Sequence, residues 1–146
     1  MFNNICTGTE YGAVGADPQV VTPVQILIAD DQAPIRELVS DILLQHGYRV
    51  LVAQDGIEAI STAQREQPAL VILDYLLPGM DGVDVCRILK QGPTTSQVKV
   101  IMLSVMIDWT ARERALVVGA DGYLTKPFSN AELLEMIEGV LGSASD

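Results

Sequence analysis

LVILDYLLPGMDG, residues 70–82, poses the question that the rest of the chain answers. Leu70, Val71, Ile72 and Leu73 run without a polar break and end on a carboxylate, Asp74, before two leucines and the turn formers Pro78 and Gly79. A short apolar run bounded by a turn fits a strand buried on both faces. Asp74 then either caps the turn or is a functional carboxylate that the strand exists to hold.

The same unit recurs outward from this stretch. VQILIA (24–29) runs into Asp30-Asp31, YRVLVA (48–53) into Gln54-Asp55, ALVIL (69–73) into Asp74, VKVIML (98–103) into Ser104, and DGYLT (121–125) into Lys126-Pro127. Helical stretches separate these strands. In the first, Ile35, Leu38, Val39, Ile42 and Leu43 fall on one face, with Pro34 in the opening turn and Gly47 as the stop. The second opens at Asp55 and ends before Pro68, and the third, GVDVCRILK, ends at Gly92-Pro93. Asp81 and Asp108 precede helices as caps, and the fourth helix stops at Gly119. The fifth opens with a capping box, Ser129 to Glu132, and buries Leu133, Leu134, Ile137, Val140 and Leu141. Five strand–helix pairs with doubly apolar strands predict an α/β protein, a doubly wound open sandwich on a parallel sheet.

Composition narrows the function. The 146 residues suffice for one domain with a true core. Although 49% of them are hydrophobic, no stretch approaches the ~18 apolar residues of a membrane span, and no signal peptide is legible. A soluble cytoplasmic protein is the expectation. Residues 24–141 hold all nine Lys and Arg but 16 of the 19 acids, a balance that disfavours direct nucleic-acid binding. Residues 1–23 read as a flexible leader and 142–146 as a tail or linker stub. GTEYGAVG (8–15) follows no strand and lacks the Gly-Lys of a phosphate loop. Cys6 falls in the leader, and Cys86, among Val85, Ile88 and Leu89, reads as a buried thiol. His46, before Gly47, reads as a helix-end residue. Trp109 reads as a partly buried aromatic, with partner anchoring as the functional alternative.

In a doubly wound sheet, chemistry gathers beyond the carboxyl ends of the strands. There this sequence puts Asp30, Asp31, Asp74, Ser104 and Lys126. Each alone reads as a cap, a turn former or a solvated side chain; together they occupy one type of topological position. Clustered carboxylates repel one another by up to several kcal/mol per pair, at an order of magnitude, at an effective dielectric near ~20. Mg2+ would relieve this, since it accepts oxygen ligands and keeps positions for phosphate oxygens and water. With Lys126 as a further positive charge, such a site suits a phosphoryl group attacked by one carboxylate.

The segments IADDQ, LDYLLPGMDG, MLS and GYLTKPF, in this order, resemble the receiver domain of bacterial two-component response regulators, over residues 24–141. The resemblance implies a flavodoxin-like sheet of order 2-1-3-4-5 with five helices. It implies that Asp74 accepts phosphate from a sensor histidine kinase or phosphotransfer protein. Asp30, Asp31, Asp74 and the Leu76 backbone carbonyl would hold Mg2+, with Asp31 the likelier direct ligand of the acidic pair. Ser104 and Lys126 would stabilise the phosphoryl group, Ser104 and Tyr123 would switch, with Tyr123 swinging inward, and the Lys126–Pro127 bond would be cis. Such a protein is a phosphoacceptor with self-directed phosphotransfer and autodephosphorylation, not an enzyme with an external product. It acts on a downstream partner or a lost output domain, or through a homodimer, by the face of helix 4, strand 5 and helix 5. Leu76 and Met106 are apolar where many relatives are polar, which predicts a slowly hydrolysed aspartyl phosphate. The alternatives are an inert receiver-like scaffold and a phosphatase resembling the haloacid dehalogenase family, which wants an aspartate where Leu76 stands.

Overall fold

A computed structural model of the chain describes residues 23–106 and 108–144, so residues 1–22 of the leader, Cys6 among them, Ile107 and residues 145–146 lie outside the described residues. Strands and helices alternate in the order β1 (Gln25–Ala29), α1 (Ala33–Gln45), β2 (Arg49–Ala53), α2 (Gly56–Glu66), β3 (Leu70–Asp74), α3 (Gly82–Gln91), β4 (Lys99–Ser104), α4 (Trp109–Val117), β5 (Gly122–Thr125) and α5 (Asn130–Ala144). All pairings are parallel, and the five strands lie in the order β2-β1-β3-β4-β5, as the receiver resemblance implies. The order reverses between β1 and β3, which places Asp30 and Asp74 at adjacent strand ends.

The pleat sorts side chains by parity. Ile26, Ile28, Leu70, Ile72, Ile101, Leu103 and Leu124 pack with Val39, Ile42 and Leu43 of α1 and Leu133 and Ile137 of α5. Leu27, Ala29, Val71, Leu73, Val100, Met102 and Tyr123 pack with Ala59, Val85, Leu89, Ala111 and Ala115 of α2, α3 and α4. Asp30 and Asp74 continue the first parity and Ser104 continues the second. The strands therefore aim the carboxylates before any loop contributes.

Several local expectations need correction. β2 is an edge strand with Val52 50% exposed, so it is not apolar-covered on both faces. In α1 the buried stripe narrows to Val39, Ile42 and Leu43, while Leu38 is 47% exposed. Leu134 and Leu141 of α5 are only partly buried. α5 continues through Ala144, into the stretch read as a tail. Asp108 occupies the N-cap position of α4 but its side chain accepts no capping bond, whereas Asp55 and Asp81 accept from the Glu58 and Asp84 amides. The Ser129–Glu132 capping box is reciprocal, at 2.8 and 3.0 Å. Cys86 is buried, and desolvation pushes its thiol up to about 11.

One glycine ties the fold to the strand end. A Cβ on Gly82 would stand 2.5 Å from the Asp74 carbonyl oxygen and 2.8 Å from Met102 Sδ, so α3 starts against β3 only because nothing projects there. Gly82→Ala is expected to destabilise the protein by about 1–3 kcal/mol, as overpacked sites do, when measured by urea unfolding. Wild-type stability in that variant would contradict this packing.

Candidate functional site

Four of the sequence-nominated side chains converge. Lys126 Nζ donates to Asp30 Oδ2 at 3.0 Å and to Asp74 Oδ2 at 3.3 Å, linking residues from β1, β3 and the segment after β5. One carboxylate oxygen from each of Asp30, Asp31 and Asp74 lies within 4.8 Å of the other two. Asp30 and Asp74 are buried and Asp31 is exposed, so the cluster has a closed floor and an open mouth. The backbone supports the same geometry. The Gln32 amide donates to Asp30 Oδ1 at 2.9 Å and the Leu76 amide to Asp74 Oδ1 at 3.3 Å. The Lys126 amide extends the sheet ladder by donating to the Ser104 carbonyl at 2.7 Å, which sets where its side chain departs. The Lys126–Pro127 bond is cis.

Burial pushes the Asp74 carboxyl above the usual carboxylate range, and the Asp30 charge adds to this; Lys126 and the Leu76 amide pull the other way. The pocket thus holds the Asp74 carboxylate at an electrostatic cost, which a cation placed beside it would relieve. The donor set is all oxygen, three carboxylates with an open side, and this suits a hard divalent ion better than a soft one.

Ser104 and Tyr123 meet on Met106. The Met106 amide donates to Ser104 Oγ at 2.9 Å, and Tyr123 Oη donates to the Met106 carbonyl at 2.7 Å. Tyr123 is buried, with the Arg112 guanidinium 5.5 Å over its ring. Leu76 presents an exposed side chain at the rim. Trp109 is 70% exposed, against the partly buried reading, because it sits in the first turn of α4 facing away from the sheet. His46 stays at the end of α1, its ring Nδ1 2.9 Å from the Ile42 carbonyl.

Sequence reading assigned no role to Arg36. Its Nη1 donates to the Asp30 carbonyl at 2.7 Å. A backbone acceptor carries no residue code, so the one available signal was a cation in the opening turns of the helix that follows the acidic pair.

Comparison with known proteins decides the family. The family model described as the response regulator receiver domain matches residues 26–138. The chain belongs to the response regulator receiver domain family. Among curated relatives, the phosphate regulon transcriptional regulatory protein PhoB of Escherichia coli is 38% identical over 117 residues, which cover 80% of this chain and 51% of PhoB. The chain spans about half the length of the curated relatives it matches. The chemotaxis protein CheY4 of Vibrio cholerae superposes with a TM-score of 0.78 at 30% identity, covering 82% of this chain and 99% of that one. The receiver domain of the sensor histidine kinase PA1611 from Pseudomonas aeruginosa has a TM-score of 0.77 at 30% identity, covering 83% and 99%; its structure has a magnesium ion coordinated in the active-site cleft. Members of this receiver family are signalling switches of two-component systems. Among the described residues, no helix is long and apolar enough to cross a membrane.

The raised Asp74 fixes a sign. The folded receiver domain holds this proton more tightly than the unfolded chain, so stability contributed here falls as pH rises from the ordinary carboxylate range through the raised value. Without divalent ions at neutral pH, Asp74→Asn is therefore expected to melt a few degrees above wild type, with the gain narrowing as pH is lowered. A variant that melts lower at neutral pH would contradict the stated cost.

Proposed function

We propose that this receiver domain is a phosphorylation-dependent switch that takes a phosphoryl group on Asp74 from the phosphohistidine of a sensor histidine kinase or phosphotransfer protein. The observation that carries this reading is the position of Lys126 Nζ between Asp30 and Asp74, within an acidic cluster open on the Asp31 side. Asp30, Asp31, Asp74 and the Leu76 carbonyl are the groups that would hold Mg2+. When bound, the ion would neutralise phosphoryl oxygens and let the donor approach an acidic pocket.

The chain's own residues do the rest. A carboxylate oxygen of Asp74 forms the bond to phosphorus as the phosphorus–nitrogen bond to the donor imidazole breaks, and the imidazole takes a proton from solvent. Lys126, already beside Asp74 Oδ2, compensates charge on the transferred group. The Ser104 hydroxyl can turn its proton to a phosphoryl oxygen while still accepting from the Met106 amide. The new dianion thereby acts on the loop after β4, whose Met106 carbonyl holds Tyr123. Output is then a shifted population at α4, β5 and α5. The exposed Trp109, Leu116 and Val117 on α4 support this face as the one read by an output domain, a separate partner or a second copy of the chain.

Incubation with acetyl phosphate and Mg2+, followed by intact mass, tests the reading. The expected result is a gain equal to one phosphoryl group, lost in Asp74→Asn and in excess chelator. An unmodified wild-type protein would support the scaffold alternative, and steady turnover of external phosphoesters the phosphatase. Leu76 and Met106 supply no polar group to orient an attacking water, so the adduct should be long-lived. Leu76→Asn combined with Met106→Glu is expected to shorten its half-life severalfold; an unchanged half-life would rule out control by these positions.

A further inference from the structure

Within the acidic cluster, Asp31 stands apart. The carboxylates of Asp30 and Asp74 each accept from a backbone amide and from Lys126. Among the described residues, the Asp31 carboxylate has no hydrogen bond or ion pair, and it is exposed. Its aim therefore comes from the backbone that carries it. That backbone is the Asp30–Asp31 peptide, whose carbonyl oxygen is the acceptor for Arg36 Nη1 at 2.7 Å. The start of α1 is tied to the same turn, since the Ile35 and Arg36 amides both donate to the Gln32 carbonyl at 3.1 Å. Arg36 is half-buried and makes no ion pair among the described residues. Its guanidinium thus serves a neutral carbonyl although acids stand close by in the chain.

We propose that Arg36 is a positioning residue for divalent-cation binding: its bond to the Asp30 carbonyl fixes the peptide plane from which Asp31 projects. The inference rests on the reading of this pocket as a metal site. A charge-assisted bond to a carbonyl is short and directional, and restricting that plane pre-organises a ligand that has no other support. The sign of the effect separates this role from two simpler ones. A cation acting only through its charge opposes Mg2+, so its removal would tighten binding. A residue that only stabilises the turn would lower the melting temperature and leave the affinity of the folded protein unchanged.

The test is Mg2+ titration by calorimetry, with thermal melts, on wild type, Arg36→Met and Arg36→Lys. Methionine keeps an unbranched stem and good helix propensity but no donor, whereas lysine keeps a donor and the charge. The expected result is a Mg2+ Kd about tenfold higher in Arg36→Met, at the lower end of what loss of a ligand-orienting partner costs. Arg36→Lys should recover most of that loss, with melting temperatures of all three close together. An unchanged or lower Kd in Arg36→Met would overturn the proposal. So would an Arg36→Met protein that does not fold beside an Arg36→Lys protein with reduced stability and wild-type Mg2+ affinity, which would mark a structural role. A wild-type protein that binds no Mg2+ would instead overturn the metal-site reading beneath it, and the proposal with it.

Discussion

Three carboxylates forced into one pocket, with one ammonium among them, are the constraint on which the structure turns. One oxygen of each lies within 4.8 Å of the others, a spacing at which two unit charges repel by roughly 3 kcal/mol at an effective dielectric of about 20, and by less where water screens the exposed Asp31. Lys126 is bonded to Asp30 and Asp74 and leaves Asp31 uncompensated. Such an arrangement is poor as a stabilising device, because ion pairs in buried positions return little beyond their desolvation. It makes sense as a site kept under electrostatic tension, ready for a cation and for a group whose oxygens need positive charge. The upward push on Asp74 from burial and from Asp30 expresses that tension.

The sheet imposes this tension through parity. Asp30 follows Ile28 and Asp74 follows Ile72 on the α1 and α5 side, while Ser104 follows Met102 on the α3 and α4 side with Tyr123. Asp74 and the Ser104–Tyr123 pair therefore lie on opposite faces of one strand edge. Met106 joins Ser104 to Tyr123 through its own amide and carbonyl, two hydrogen bonds on one residue's backbone. The apolar surface of Trp109 and Val117 lies on the helix that begins just after this loop.

Much of this was legible in the sequence, and the reasons are physical. Aliphatic runs ending in polar residues mark parallel strands and their carboxyl ends, so the gathering of Asp30, Asp31, Asp74 and Lys126 at one sheet edge follows from topology, while the strand order came from the family resemblance. Caps at Asp55, Asp81 and Ser129 use side-chain oxygens and leave a residue code, although Asp108 shows that the code can be present without the bond. Exposure was harder to read. Leu38 and Val52 belong to apolar patterns yet face water, because pattern does not say whether a neighbouring layer extends that far. Trp109 was misread for the same reason. Arg36 escaped notice because its partner is a carbonyl, which every residue has.

The most direct measurement is anomalous diffraction from crystals grown with Mn2+ and beryllofluoride, which stand in for Mg2+ and the phosphoryl group. The account predicts one manganese peak coordinated by oxygens of Asp31 and Asp74, with beryllofluoride on Asp74 and Lys126 Nζ turned to its fluorides. Manganese bound elsewhere, or beryllofluoride away from Asp74 while Lys126 stays on Asp30, would contradict it.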